Sequence, residues 1–71
     1  MKVGDLVQLS GYGIARGYNS RLTVIDPHQV GIILEHKKNY GYPYKVFWSA
    51  AGSIGSRYPM HMRRELKYAR V

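Results

Sequence analysis

Cysteine is absent from this chain of 71 residues, which excludes disulfides and zinc sites built on thiolates. No apolar run approaches the roughly 20 residues of a membrane span. The N-terminus also lacks the long apolar segment of a secretory signal. We therefore expect one cytosolic domain without membrane contact, and a domain this short is expected to have modest stability.

Acidic residues are scarce as well, with four against eleven lysines and arginines. The charges balance from residue 1 to residue 35, so the whole formal net charge of +7 comes from residues 36–71. Such asymmetry suggests an anionic partner, namely nucleic acid, a membrane surface or an acidic protein, and of these we expect an acidic protein or nucleic acid. The alternative is a basic surface that only keeps the protein in solution.

Two runs of β-branched and aromatic residues, 30–36 and 44–49, lie on either side of a polar turn. The turn contains Asn39, Gly41 and Pro43, and the whole pattern predicts a β-hairpin. A glycine inside the first strand, at position 31, predicts a bulge or a close backbone approach.

Strand periodicity also predicts the core. Leu6, Val7 and Leu9 suggest a short first strand, and Trp48, the only tryptophan, is expected to anchor the interior. The residues predicted to lie in or near the core are Val7, Ile32, Leu34, Val46, Trp48 and Leu66.

The segment from Ser10 to Ser20 contains three glycines and shows no apolar periodicity. It predicts a long, mobile and solvent-facing loop rather than a nucleotide cradle, because no βαβ pattern surrounds it. The β-prone run from Leu22 to Ile25 predicts a minor edge strand or an ordered part of this loop, ended by Asp26 and Pro27.

The last part of the chain allows two interpretations. A short fourth strand over residues 53–58 is followed by one helical or 3₁₀ turn from Pro59 and a closing strand containing Leu66 and Tyr68. The competing interpretation is a two-turn helix from Met60 to Ala69, which would be marginal at that length.

The segments 2–7, 30–35, 44–48 and 65–66 together resemble small SH3-like barrel proteins of tailed bacteriophages, and distantly KOW and Tudor-like modules. The resemblance covers about two thirds of the chain. It implies a small, five-stranded antiparallel barrel, which meets ligands through its loops and open sheet face. The stretch from Ser10 to Ser20, expected as a long first loop, departs from the family because a minimal module of this kind needs a shorter one. The sequence lacks the compact four-ring aromatic cage of a methyl-lysine reader, and Tyr40, Tyr42, Tyr44 and Trp48 can form at most a partial one.

Catalytic and metal-binding patterns are weak. The three histidines are far apart in sequence, and no spacing indicates a triad or a metal site. We therefore expect no enzyme activity and no cofactor. The prediction is a binding module, either a phage-encoded protein-interaction or structural accessory protein or, alternatively, a nucleic-acid-binding module with a basic, tyrosine-rich face. The candidate binding residues are Lys37, Lys38, Tyr40, Tyr42, Arg63, Arg64, Tyr12, Arg16 and Tyr18.

Overall fold

A computed structural model describes residues 1–50 and 58–69. Its strands are β1 (Leu6–Leu9), β2 (Gly31–His36), β3 (Tyr44–Trp48), β4 (Met60–His61) and β5 (Leu66–Tyr68). They form one antiparallel sheet in the order β4-β3-β2-β1-β5. The prediction of a mainly β protein is confirmed at this level. None of the helices in the described ranges is long and apolar enough to cross a membrane.

The predicted hairpin is confirmed as the antiparallel pair of β2 and β3. Gly31 lies opposite Trp48, and a Cβ atom at position 31 would come within 2.7 Å of the indole and 2.6 Å of Val46. The close backbone approach expected at Gly31 is therefore confirmed. The bulge of this pair lies further along β2, between Ile33 and Glu35.

The core lies on one side of the sheet, and the prediction for it was partly correct. Four of the six expected residues are fully buried, namely Val7, Val46, Trp48 and Leu66. The placement of Ile32 and Leu34 in the core is wrong, because both are half-buried and Ile33 lies inside instead. Ile33 pairs with Val46, and successive residues of a strand point to opposite faces.

The prediction of an irregular loop from Ser10 to Ser20 is wrong. This segment contains helix α1 (Gly11–Ala15) and a 3₁₀ turn (Gly17–Asn19). The Ser10 hydroxyl accepts a hydrogen bond from the Gly13 amide at 3.1 Å and donates to the Arg64 carbonyl at 2.6 Å. Helix capping and contacts with the end of the chain thus order a sequence whose own helix propensity is low.

The expected edge strand from Leu22 to Ile25 is also wrong, because helix α2 (Ser20–Ile25) occupies this position. Leu22 reaches the core, whereas Val24 is 84% exposed. Burial of one leucine outweighs the strand preference of its β-branched neighbours. The segment does end at Asp26, but as the C-cap of a helix rather than as the end of a strand.

The closing strand is confirmed as β5, but the turn before it begins later than expected. A second 3₁₀ turn spans Arg63–Glu65 rather than starting at Pro59, and the two-turn helix from Met60 to Ala69 is absent from the described chain. Most of the predicted strand at 53–58 lies outside the described residues.

Candidate functional site

Glu65 is a fully buried carboxylate at the end of the second 3₁₀ turn. One of its oxygens accepts hydrogen bonds from Asn19 Nδ2 and His61 Nδ1, each at 3.0 Å. The other accepts from the Tyr18 hydroxyl at 3.0 Å and from the Met62 amide at 2.9 Å. Four donors thus replace the water that this carboxylate loses on folding.

His61 lies between Glu65 and Trp48 and is also fully buried. The indole Nε1–H of Trp48 donates to His61 Nε2 at 3.0 Å, and the two rings meet edge to face. Since Nε2 accepts this bond, the proton of the neutral imidazole resides on Nδ1, which donates to Glu65. The network therefore specifies one tautomer of His61.

The buried network shifts both of its titratable groups. Burial lowers the pKa of His61, and the neighbouring Glu65 carboxylate only partly opposes this. Burial raises the pKa of Glu65, but the hydrogen bonds from Asn19, His61, Met62 and Tyr18 outweigh it, so this pKa is also lowered. A neutral histidine beside an ionised glutamate is consistent with the observed hydrogen bonds.

Asn19 and Tyr18 connect this network to the helical segment after β1. Asn19 Nδ2 also donates to the Gly13 carbonyl at 2.9 Å, so one amide ties α1 to Glu65. The Tyr18 ring is 55% exposed, although its hydroxyl is held by the buried carboxylate. Partial burial of this hydroxyl and its bond to Glu65 raise the pKa of Tyr18 to about 12.

Two guanidinium groups lie over the Tyr12 ring. The guanidinium carbons of Arg16 and Arg64 are each 4.5 Å from the ring centroid, a distance typical of cation–π contacts. Arg16 comes from the segment after α1 and Arg64 from the second 3₁₀ turn, so the contact joins distant parts of the chain.

Tyr42 extends this surface. Its ring meets the Tyr18 ring edge to face, with centroids 5.9 Å apart and an interplanar angle of 81°. Tyr12 and Tyr42 both lie close enough to Tyr18 to contribute to its raised pKa. We call the surface formed by Tyr12, Arg16, Tyr18, Tyr42 and Arg64 the arginine–tyrosine face.

The other predicted binding residues lie in separate contacts. Lys37 has its ammonium 5.5 Å from the Tyr40 ring, and Lys38 is exposed beside them. Arg63 lies over the Tyr68 ring at 5.7 Å and donates to the Leu66 carbonyl at 3.0 Å. Five of the nine candidates thus form one face, and the remaining four are not part of it.

The four side-chain carboxylates all lie within the described ranges, and each of them makes a contact there. Asp5 pairs with Lys2 at 3.0 Å, and Glu35 pairs with Lys45 at 2.7 Å. The Asp26 side chain accepts from the His28 amide, and Glu65 is buried with His61. In the described part of the chain, neither Arg16 nor Arg64 forms an ion pair.

Tyr40, Tyr42, Tyr44 and Trp48 do not line one aromatic cage. Tyr44 and Trp48 are 6% and 0% exposed, so both belong to the core, whereas Tyr40 and Tyr42 are exposed at the hairpin tip. Alternation along β3 directs Tyr44 and Trp48 inward together with Val46. Among residues 1–50 and 58–69, no group of three or more His, Asp or Glu side chains is placed to hold a metal ion.

Sequence reasoning missed Asn19, His61 and Glu65. The only local signal was the spacing of four residues between His61 and Glu65, since Asn19 is separated from Glu65 by 46 residues. Comparisons of the chain with protein-family models, with curated proteins and with solved structures find no match.

Proposed function

We propose that this protein is a small non-enzymatic binding module that recognises an anionic macromolecule through its arginine–tyrosine face. The observation that carries this proposal is the placement of the Arg16 and Arg64 guanidiniums over one tyrosine ring, each at 4.5 Å. Arginine side chains on an aromatic ring present planar, preorganised donors for carboxylate or phosphate groups.

The buried network beneath this face supports the proposal because it fixes the backbone that carries the binding side chains. Glu65 directly follows Arg64 and bonds to Tyr18, while Asn19 holds the Gly13 carbonyl. Side chains on a preorganised frame lose less conformational freedom on binding.

The charge distribution also supports an anionic partner. Because the four carboxylates are engaged within the molecule, none of them is left to neutralise Arg16 or Arg64 in the described structure. The formal net charge of +7 is then available to attract negative charge from solution.

The proposal extends to the fold. An SH3-like barrel is supported by the pairing of β1 with both β2 and β5, and by the 3₁₀ turn that joins β4 to β5. Together with the resemblance of the sequence, this leads us to a phage-encoded accessory protein whose partner is an acidic protein or a nucleic acid.

A non-catalytic role fits the pair of His61 and Glu65, whose residue types are those of catalytic acid–base machinery. His61 and Glu65 are each 0% exposed, and Trp48 occupies the imidazole nitrogen that a substrate would need. A general base must come within hydrogen-bond reach of the proton that it removes. We therefore assign this pair to the structural frame.

The test is salt elution from heparin, used as a general polyanion. The wild type is compared with the double variant Arg16→Gln/Arg64→Gln and with the charge-matched control Lys2→Gln/Lys67→Gln. Lys67 is exposed on β5 and points away from buried Leu66, and Lys2 lies near the N-terminus. We expect the arginine variant to elute at clearly lower salt than the control.

Equal elution of the two double variants would show that net charge alone determines retention, and the proposed face would then be wrong. Failure of the wild type to bind heparin, a poly-glutamate chain and an oligonucleotide, even at low salt, would overturn the binding proposal as a whole. Circular dichroism of each variant establishes that the fold is retained.

A further inference from the structure

We propose that the anionic partner is a single strand of nucleic acid, with bases stacked on Tyr18 and Tyr42 and phosphates bound by Arg16 and Arg64. This inference rests on the proposed function and specifies its ligand. It combines two observations, the paired guanidiniums and the exposed tyrosine rings beside them. A simple anion would use the guanidiniums but not the rings.

The Tyr18–Tyr42 pair leaves ring surface open for stacking. In an edge-to-face pair, one ring directs its edge at one face of the other, so the contact covers only one of the four ring faces. The two side chains are 55% and 47% exposed. Tyrosine rings exposed in this way are suitable platforms for unpaired bases.

The ring that supports the arginines is not the ring that would stack. Tyr12 is half-buried under Arg16 and Arg64, whereas Tyr18 and Tyr42 lie against each other. The face therefore divides into a cationic part and an aromatic part, which are connected through Glu65, the sequence neighbour of Arg64 and the hydrogen-bond partner of Tyr18. Successive phosphates and bases of a single strand present the same two chemistries side by side.

The Nε atom of Arg16 is a second observation that favours a bound phosphate at this face. Within the described residues, its Nε atom is buried and has no hydrogen-bond partner. An unsatisfied buried donor is unfavourable, and a small displacement of the guanidinium toward a phosphate oxygen would satisfy it. A bound phosphate would thus accept a hydrogen bond from an Arg16 donor that has no partner within the described residues.

A single strand fits better than the two alternatives. In a duplex the bases are already stacked on each other, so their faces are closed to Tyr18 and Tyr42. A run of acidic residues would supply carboxylates for the arginines but no aromatic ring to stack on the exposed tyrosines. Exposed tyrosine rings, together with guanidiniums that form no ion pair in the described structure, therefore favour unpaired nucleotides.

The test is fluorescence anisotropy with a labelled oligo(dT) of about 12 nucleotides, since single-strand sites on small domains span about 4–16 nucleotides. A duplex of equal length and a poly-glutamate chain of equal charge serve as competitors. We expect the single strand to bind more tightly than either competitor. Replacing Arg16 or Arg64 by glutamine should reduce the salt slope by about 0.7 each, while Lys67→Gln leaves it nearly unchanged.

The aromatic part is tested with a matched pair at Tyr42, whose ring is exposed at the hairpin tip. Tyr42→Phe keeps the ring and should bind like the wild type, whereas Tyr42→Leu should weaken binding about 5- to 100-fold. Equal affinity of these two variants, or equal affinity for single strand and duplex in the wild type, would overturn the inference. The wild-type comparison does not depend on any variant folding.

The outcome also separates this inference from the proposed function. If poly-glutamate displaces the oligonucleotide at equal charge while the arginine variants still elute early from heparin, the partner is an acidic protein and the nucleic-acid inference is wrong. If no anionic polymer binds, both proposals fail together.

Discussion

The indole N–H of Trp48 donates to Nε2 of His61 at 3.0 Å, and this bond links the centre of the core to the buried charge of Glu65. Trp48 lies on β3 and His61 on the neighbouring β4. A proton added to His61 must go to Nε2, directly opposite the indole hydrogen. The bond therefore opposes ionisation of the imidazole as well as orienting it.

Trp48→Phe tests this relationship by keeping an aromatic ring and removing the donor. We expect the free energy of unfolding to fall by about 1–3 kcal/mol, because Nε2 is left without a partner in the core. The pKa of His61 should rise at the same time, since protonation no longer conflicts with an N–H group. Urea unfolding and NMR titration of His61 measure the two effects, and an unchanged pKa would contradict the explanation.

Trp48→Ala is the more drastic comparison. It removes a fully buried ring, and such truncations cost about 3–5 kcal/mol. In a domain of 71 residues this approaches the whole stability, so we expect the folded state to be lost. A normal thermal transition by circular dichroism would show that the core does not depend on Trp48.

Stability should depend on pH in the acidic range. The folded-state pKa of His61 lies below its ordinary value of 6.5, so the unfolded chain binds the proton first as the pH falls. The contribution of neutral His61 is complete above pH 6.5 and decreases as the pH falls toward the folded-state pKa. Glu65 adds a second loss below pH 4.5, because its folded-state pKa is also lowered.

The measurement is the free energy of unfolding in urea from pH 8 to pH 4. We expect His61→Gln to be less stable at pH 8 but to lose the slope that begins near pH 6.5. His36→Gln, which replaces an exposed histidine, is the control and should retain that slope. A slope that persists in His61→Gln would assign the pH dependence to another group.

Strands β1, β2, β3 and β5 could be predicted from the sequence, whereas β4, the helices and the buried network could not. Alternation along Tyr44, Val46 and Trp48 is a local signal, and these residues are buried together in β3. Helix α1 depends on contacts with the distant Arg64 and Glu65, which no local window contains. Propensity alone therefore led to a loop where tertiary contacts form a helix.

The candidate site shows the same division. The sequence suggested arginines and tyrosines from both halves of the chain as binding residues, and five of these residues form one face. The sequence did not indicate that Glu65 is the residue beneath them, since an acidic side chain near a chain end usually lies in solvent. Its burial is compensated by four hydrogen-bond donors, and two of them, Tyr18 and Asn19, lie more than 40 residues earlier in the chain.

Glu65→Gln should destabilise the protein although the two side chains have nearly the same shape. The carboxylate accepts from four donors, and the NH₂ group of glutamine would face two of them. We expect a loss of about 2–6 kcal/mol, since each of the two buried donors left without an acceptor costs about 1–3 kcal/mol. Thermal unfolding measures this, and Glu35→Gln, which removes an exposed carboxylate, is the control.

Gly13 and Gly11 provide a matched test of how closely α1 packs. A Cβ atom at Gly13 would collide with the Glu65 carbonyl, whereas the same atom at Gly11 meets nothing within 4 Å. Alanine favours a helix by up to about 1 kcal/mol over glycine, so Gly11→Ala should be neutral or stabilising.

Gly13→Ala should instead lose about 1–3 kcal/mol, because α1 must move away from Glu65. That displacement would also disturb the Asn19 bond to the Gly13 carbonyl and the hydrogen bond between Ser10 and the Gly13 amide. We therefore expect Gly13→Ala to weaken heparin retention together with stability, whereas Gly11→Ala changes neither adversely. Equal melting temperatures for the two variants would show that α1 does not pack closely on the Glu65 backbone at Gly13.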